Sequence, residues 1–130
     1  MVIDSSALIA ILLDEAEGES FRQLILDSEV RLLGAVSRLE AGIVVESRLG
    51  RRGTDRLQKL LAKLGPDTVG FTTEHALWAL DAWRRFGKGR HPAALNFGDC
   101  CTYALCKASR EPLLAKGEDF SRTDVKLIQA

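Results

Sequence analysis

Short apolar runs alternate with stretches of helical periodicity along the whole chain. Met1 to Ile3 is a β-rich run that ends at Asp4-Ser5-Ser6, after which Leu8, Ile9, Leu12 and Leu13 recur at helical spacing. A second helix through Phe21, Leu24 and Ile25 leads to a short strand from Val30 to Leu33. Ser37 then opens a helix carrying Leu39, Ile43 and Val44, which stops at Gly50. Leu57, Leu60, Leu61 and Leu64 form the stripe of a further helix, ended by Gly65-Pro66 before a strand from Thr68 to Phe71. A long helix from about Thr73 to Phe86 carries Leu77, Leu80 and Trp83, and the loop Gly87 to Asn96 separates it from a helix beginning near Gly98-Asp99. Strands from Pro112 to Ala115 and from Val125 to Ile128 close the pattern. Short, uniformly apolar strands that alternate with helices build a parallel or mostly parallel sheet covered on both faces. The expected fold is α/β in three layers, as a single domain over residues 1–130.

A chain of 130 residues buries roughly two-thirds of its unfolded surface and supports one core. Its 18 basic and 18 acidic side chains cancel, so the strong positive field of a protein that coats nucleic acid is excluded and any such contact must be local. Basic residues gather at Arg48, Arg51, Arg52 and Arg56, and again at Arg84, Arg85, Lys88 and Arg90 beside His91; each group fits a solvated helix end or a phosphate-contacting patch. Cys100, Cys101 and Cys106 match neither a disulfide framework nor a zinc site, and read as reduced thiols in a buried helix. Met1 leads straight into Val2-Ile3 with no basic leader, and no apolar run approaches the ~18 residues of a membrane span, so a soluble cytoplasmic protein is expected. Neither a P-loop nor a G-x-G-x-x-G turn is present, which disfavours nucleotide hydrolysis of that kind and dinucleotide binding.

In a parallel α/β sheet, strand C-termini and the N-termini of the following helices lie along one edge, where ligands bind. Asp4 ends the first strand, Glu40 and Asp99 fall in first turns of helices, and Asp119 follows the strand from Pro112. All four acids therefore map to one edge. Like charges gathered there repel and raise one another's pKa, and a hard divalent cation such as Mg²⁺ or Mn²⁺ reverses the sign. Such a cation can polarise a phosphodiester and activate water. Each acid also has a local reading. Asp4 fits a helix cap, Ser37-Arg38-Leu39-Glu40 fits a capping box, Asp99 fits an ordinary first-turn acid, and Asp119 fits a turn former.

The stretches Val2-Ile3-Asp4-Ser5-Ser6-Ala7-Leu8, Ser37-Arg38-Leu39-Glu40, Leu95-Asn96-Phe97-Gly98-Asp99-Cys100 and Gly117-Glu118-Asp119-Phe120, with Thr123-Asp124-Val125, resemble the PIN-domain nucleases. More narrowly, they resemble the VapC ribonuclease toxins of bacterial toxin–antitoxin pairs. The resemblance implies that Asp4 and Asp99 are the main metal ligands, with Glu40 a ligand or holder of the activating water and Asp119 completing the pocket. It places Asn96 beside the site and gives the hydroxyls of Ser5 or Ser6 an orienting role, although capping and loop hydrogen bonds suit all three equally well. Where the family often has Asp or Asn, this chain has Glu118, so Glu118 either shares the role of Asp119 or is merely exposed. Asp124 belongs to a Thr-Asp pair that shapes the final turn, with a share in catalysis as the alternative.

The same resemblance implies a Mg²⁺-dependent endoribonuclease that cuts tRNA or ribosomal RNA, a homodimer, and a VapB-type antitoxin that blocks the site. In-line attack by hydroxide would leave 5′-phosphate and 3′-hydroxyl ends, with Arg84, Arg85, Lys88 and Arg90 contacting phosphates of looped RNA. Three rivals stand beside it: a metal-dependent DNA nuclease, a phosphatase disfavoured by the lack of an Asp-x-Asp pair, and a non-catalytic PIN-like binding module. Trp78 and Trp83 fit a core or dimer face, with base stacking as the alternative.

Overall fold

The computed structural model describes residues 1–129; Ala130, the end of the expected domain, lies outside them. Strand β1 (Val2–Ile3) is followed by helices α1 (Ser5–Leu12) and α2 (Gly18–Asp27), and strand β2 (Leu32–Gly34) by α3 (Ala35–Leu49) and α4 (Arg51–Leu64). Strand β3 (Asp67–Val69) leads to α5 (Thr73–Phe86) and α6 (Phe97–Ser109), and β4 (Leu113–Leu114) to a 3₁₀ turn over Asp119–Arg122. The sheet order is β3-β2-β1-β4, and every pairing is parallel.

Because side chains alternate across a strand, β1, β2 and β4 each feed both faces, while the edge strand β3 adds only Val69 to one of them. Val2, Leu32 and Leu113 pack with Ala82, Leu95, Tyr103 and Leu105 beneath α5 and α6. Their successors Ile3, Leu33 and Leu114 pack with Leu8, Ile25, Leu57 and Leu64 beneath α1 to α4. Two cores separated by one sheet make the three-layer α/β/α fold that the alternation predicts.

Several expectations change: β2 lies at Leu32–Gly34 rather than from Val30 to Leu33, and β3 at Asp67–Val69 rather than from Thr68 to Phe71. The run from Val125 to Ile128 forms no strand of its own; Leu127 bridges Leu113, which accepts from the Ile128 amide at 2.9 Å and donates to the Lys126 carbonyl at 2.9 Å. Helix α3 starts at Ala35, two residues before Ser37, with Gly34 as its N-cap, so Glu40 falls in its second turn and not in its first. Its inward face is Ser37, Ala41 and Val45, so Leu39 and Ile43 are exposed, at 64% and 58%. Helix α5 likewise turns His75 and Ala82 inward and leaves Leu77, Trp78, Leu80 and Trp83 exposed. Small inward residues let α3 and α5 approach α6 closely, and the bulky apolar residues are thereby left on the outside. Gly50 fits its expected place: with φ of +67° it separates α3 from α4, a conformation in which a side chain would be strained.

Candidate active site

Asp4 is buried at the end of β1, 6% exposed, and it also caps α1: the Ser6 amide donates to Asp4 Oδ2 at 3.1 Å and the Ser6 hydroxyl to the same oxygen at 2.6 Å. The capping and site readings are therefore compatible. The Ser6 hydroxyl accepts the Lys116 amide at 2.9 Å, which ties the end of β4 to the start of α1. On the other carboxylate oxygen, Thr102 Oγ1 of α6 donates to Asp4 Oδ1 at 2.9 Å.

Glu40 is half-buried and does not belong to a capping box, because Ser37 lies inside α3 and its hydroxyl meets Thr102 Oγ1 at 3.1 Å. The Glu40 carboxylate instead accepts the Ser5 hydroxyl at 2.6 Å. It lies directly against the first turn of α6, where a Cβ on Gly98 would collide with it. Ser5 and Ser6 thus serve one acid each, on adjacent residues of one turn.

The capping box is found at α6. Asn96 Oδ1 accepts the Asp99 amide at 2.9 Å, and Asp99 Oδ2 accepts the Asn96 amide at 3.1 Å. Burial pushes the Asp99 pKa up to about 6; the Asn96 amide works against this, while the charges of Asp4, Asp119 and Glu40 reinforce it. Asp4, Glu40 and Asp119 are thus near enough to Asp99 for their charges to act on it. Asp119 opens the 3₁₀ turn and is exposed, and Glu118 beside it is also exposed and accepts the Ser121 hydroxyl.

None of the four acids forms a salt bridge among the described residues. Lys116, next to Ser6 through its backbone, directs its ammonium to Glu15 at 2.8 Å and Glu17 at 3.2 Å. Uncompensated oxygen donors suit a hard divalent cation. Among the described residues, however, no three His, Cys, Asp or Glu side chains converge closely enough to ligate one point directly. That spacing suits Mg²⁺, which keeps several waters and takes one or two carboxylates from a protein, better than a closed cage of all four acids.

Asp124 stands apart. It accepts Tyr103 Oη at 2.8 Å and Lys107 Nζ at 2.8 Å and pairs with Arg85 at 3.5 Å. Burial raises its pKa, but the hydrogen bonds from Lys107 and Tyr103 outweigh this and hold the carboxyl below its usual range. Its contacts give it a structural part, closing the C-terminal segment over α6. Arg85 is occupied by Asp81, Tyr103 and Asp124, and Arg90 lies over the Trp83 ring at 4.5 Å.

Beside Asp99, a cleft of about 600 Å³ runs between α5 and α6, lined by Phe71, Leu80, Trp83, Phe97 and Cys101, with Lys88 at its border. A smaller one of about 260 Å³ is lined by Leu39, Ile43 and again Phe97, which is 80% exposed. The three cysteines are free and buried, as expected. Burial, then the charge of Asp99, raises the Cys100 pKa to about 11, so its thiol remains protonated at neutral pH.

Gly98, Thr102 and the backbone amide of Lys116 escape a reading based on charged motifs. Gly98 stands inside the Leu95–Cys100 stretch, but its role depends on the approach of Glu40 from another helix. Thr102 is an apolar-looking member of a buried helix whose hydroxyl matters only once β1 is packed against it.

The PIN domain family model matches residues 1–126, so the parallel sheet with its acidic edge is a PIN domain. Ribonuclease VapC from Mycolicibacterium smegmatis is 47% identical over 128 residues, covering 98% of this chain and 99% of the relative. Ribonuclease VapC30 from Mycobacterium tuberculosis is 44% identical over 128 residues, covering 98% of each. The chain belongs to the VapC ribonucleases of the PIN-domain family. The fold also superimposes on VapC20 of Mycobacterium tuberculosis, a Sarcin-Ricin loop cleaving toxin, with a TM-score of 0.79 at 16% identity, covering 99% of this chain and 98% of that one. VapBC2 of Rickettsia felis, solved with a DNA fragment from its promoter, gives 0.78 at 8% identity, covering 98% and 96%.

Proposed function

We propose that the chain is a divalent-cation-dependent endoribonuclease, the toxin of a toxin–antitoxin pair, in which Asp4 and Asp99 hold Mg²⁺ or Mn²⁺ with Glu40 and Asp119 beside them. The observation that carries this reading is the placement of the acids: Asp4 is held by Thr102 of α6, Glu40 lies against Gly98 beside Asp99, and none of the four acids forms a salt bridge among the described residues. A bound cation supplies Lewis-acid polarisation of the phosphodiester and a more acidic attacking water. The residues do the rest. Ser5 orients Glu40, which would take the proton of an attacking water, Ser6 and Thr102 fix Asp4, and the Asn96 amide fixes Asp99. Arg84 and Lys88 are the members of the second basic cluster left to meet phosphates, since Arg85 is held in its ion pairs and Arg90 lies over the Trp83 ring.

The RNA is a looped tRNA or ribosomal segment, and a VapB-type antitoxin neutralises the protein in the cytoplasm. Names of the relatives, and the paired Rickettsia structure, support that assignment. No helix is long and apolar enough to cross a membrane among the described residues. Incubating the chain, freed of any partner, with total RNA of its host gives discrete cuts with 5′-phosphate ends. These are lost in EDTA and reduced at least about 100-fold in Asp4→Asn, the scale for removing one transition-state stabiliser. Cuts that persist in EDTA, or 2′,3′-cyclic ends, contradict the mechanism; preferential loss of DNA instead points to a DNA nuclease.

The chain also works as a homodimer, through the face where Leu39, Ile43, Phe97, Leu80 and Trp83 leave bulky apolar groups in water. Ile43→Asp is expected to shift sedimentation from dimer to monomer while leaving the fold intact, because Ile43 is already exposed. A wild-type monomer at tens of micromolar, or an undisturbed mutant dimer, removes this face from consideration.

A further inference from the structure

Behind the acidic edge, hydroxyls and one carboxylate form an ordered chain. Thr102, in the middle of α6 and 1% exposed, donates through Oγ1 to Asp4 Oδ1 at 2.9 Å. Ser37 of α3, 3% exposed, lies 3.1 Å from Thr102 Oγ1. A hydroxyl has one proton, so with that of Thr102 on Asp4 the proton between the two hydroxyls comes from Ser37. The direction is fixed from Ser37 through Thr102 to Asp4. On the opposite oxygen, Oδ2, the Ser6 amide and the Ser6 hydroxyl both donate. A carboxylate offers about four lone-pair positions. Two donors fill Oδ2 and one engages Oδ1, so only Oδ1 has a position to spare.

We propose that Thr102, held by Ser37, is a positioning residue that fixes the Asp4 carboxylate so that Oδ1 alone is offered to a divalent cation, as a monodentate ligand. This rests on the reading of Asp4 as a cation ligand. Packing alone does not account for Thr102. Its neighbours Cys100, Cys101, Tyr103, Ala104, Leu105 and Cys106 are buried with it, and valine fills the same volume without burying a hydroxyl, which is unfavourable unless hydrogen-bonded. Here the hydroxyl is bonded, and both of its partners lie on the line to Asp4. Rotation of the carboxylate about its Cβ–Cγ bond would change which oxygen, or how much of each, is offered as a ligand; donors on both oxygens oppose that rotation.

The test is Mn²⁺ binding by calorimetry and by electron paramagnetic resonance, on the full chain and four variants whose fold is checked by circular dichroism. Thr102→Val, which keeps shape and removes the donor, is expected to bind Mn²⁺ about 10–100-fold more weakly, the usual effect of losing a hydrogen bond to a metal ligand. Thr102→Ser, which keeps the donor, is expected to restore wild-type binding, and Ser37→Ala to weaken it by a smaller factor. Equal binding by Thr102→Val and wild type, or equal loss in Thr102→Val and Thr102→Ser, overturns the proposal. If Thr102→Val does not fold, Ser37→Ala decides: weakened binding supports the chain and unchanged binding overturns it. Asp4→Asn separates the two readings. If the wild type takes up no Mn²⁺, or Asp4→Asn binds it as well as wild type, the cation reading falls and the proposal with it; loss in Asp4→Asn alone overturns only the role of Thr102.

Discussion

Asp99→Asn makes the metal-free chain more stable at neutral pH and at the same time sharply lowers cleavage. In the native chain the Asp99 carboxyl titrates at about 6 rather than 3.8, because burial and the neighbouring acids disfavour its charge. Below about pH 4 the group is protonated in both folded and unfolded chains and contributes no difference. Between about 4 and 6 the unfolded chain loses this proton while the native chain retains it, so stability falls as pH rises, and above about 6 the loss is complete. Fully expressed, that displacement corresponds to about 3 kcal/mol. Asp99 is only partly buried, so solvent screening reduces the expectation to about 1–2 kcal/mol. Asparagine retains an oxygen for the Asn96 amide and carries no charge. Denaturant unfolding without divalent cations should therefore show the mutant gaining stability over wild type as pH rises from 4 to 7. Added Mn²⁺ should reverse the order, since it stabilises only a chain that binds it. A mutant less stable than wild type at pH 7.5 without metal, or a difference that does not vary with pH, would show that repulsion at Asp99 is not what the carboxylates hold in store. Cleavage should fall by about 10²–10³-fold or more.

The alternation of apolar runs with helical periods was enough to reach a three-layer parallel fold, because the inner strand β1 and its neighbour β4 are buried on both faces and their pattern is local. Helix faces were harder to read. On α3 and α5 the bulky residues Leu39, Ile43, Leu80 and Trp83 point outward and the inward positions go to Ser37, Ala41 and Ala82. Amphipathic reasoning assigns the largest side chains to the core; it fails where close helix contact selects small ones and where a second apolar surface faces outward. The last strand reduces to one bridge because its pairing depends on β4, itself only two residues long. Within the site, the topology of the sheet edge pointed to the charge neighbours of Asp99, although Glu40 lies in the second turn of α3 rather than at its start. The capping boxes could not be assigned that way. Ser37-x-x-Glu40 and Asn96-x-x-Asp99 are equivalent patterns, and the choice between them is made by where α3 begins and by the hydroxyl of Thr102, sixty-five positions away from Ser37. Asp124 illustrates the same limit: its neighbours in sequence suggest a site, and its partners Tyr103, Lys107 and Arg85 come from helices elsewhere.

Gly98→Ala should impair cleavage while leaving the fold nearly untouched. Alanine in a helix is ordinarily favoured over glycine by about 0.5–1 kcal/mol. Here the added methyl meets the Glu40 carboxylate, with both oxygens and Cδ of Glu40 inside normal contact distance. The obstacle is the far end of a flexible side chain, so Glu40 can rotate away, and the collision adds little to the folding free energy. That rotation takes the carboxylate off the Ser5 hydroxyl and away from the first turn of α6. Displacements of about 1 Å at a catalytic group can lower rates about 10²-fold, so a loss of about 10–100-fold in kcat is expected with thermal stability changed by no more than a few degrees. Gly42→Ala is the matched control, since a Cβ there meets nothing within 4 Å, and it should leave cleavage at the wild-type level. A double-mutant cycle identifies the route. If Gly98 acts through Glu40, then Gly98→Ala introduced into Glu40→Ala should have almost no further effect, because the displaced group is already gone. Additive losses would instead place the effect of Gly98 in the α6 N-terminus itself, and Glu40 would lose its claim to a position fixed by the bare backbone of that turn.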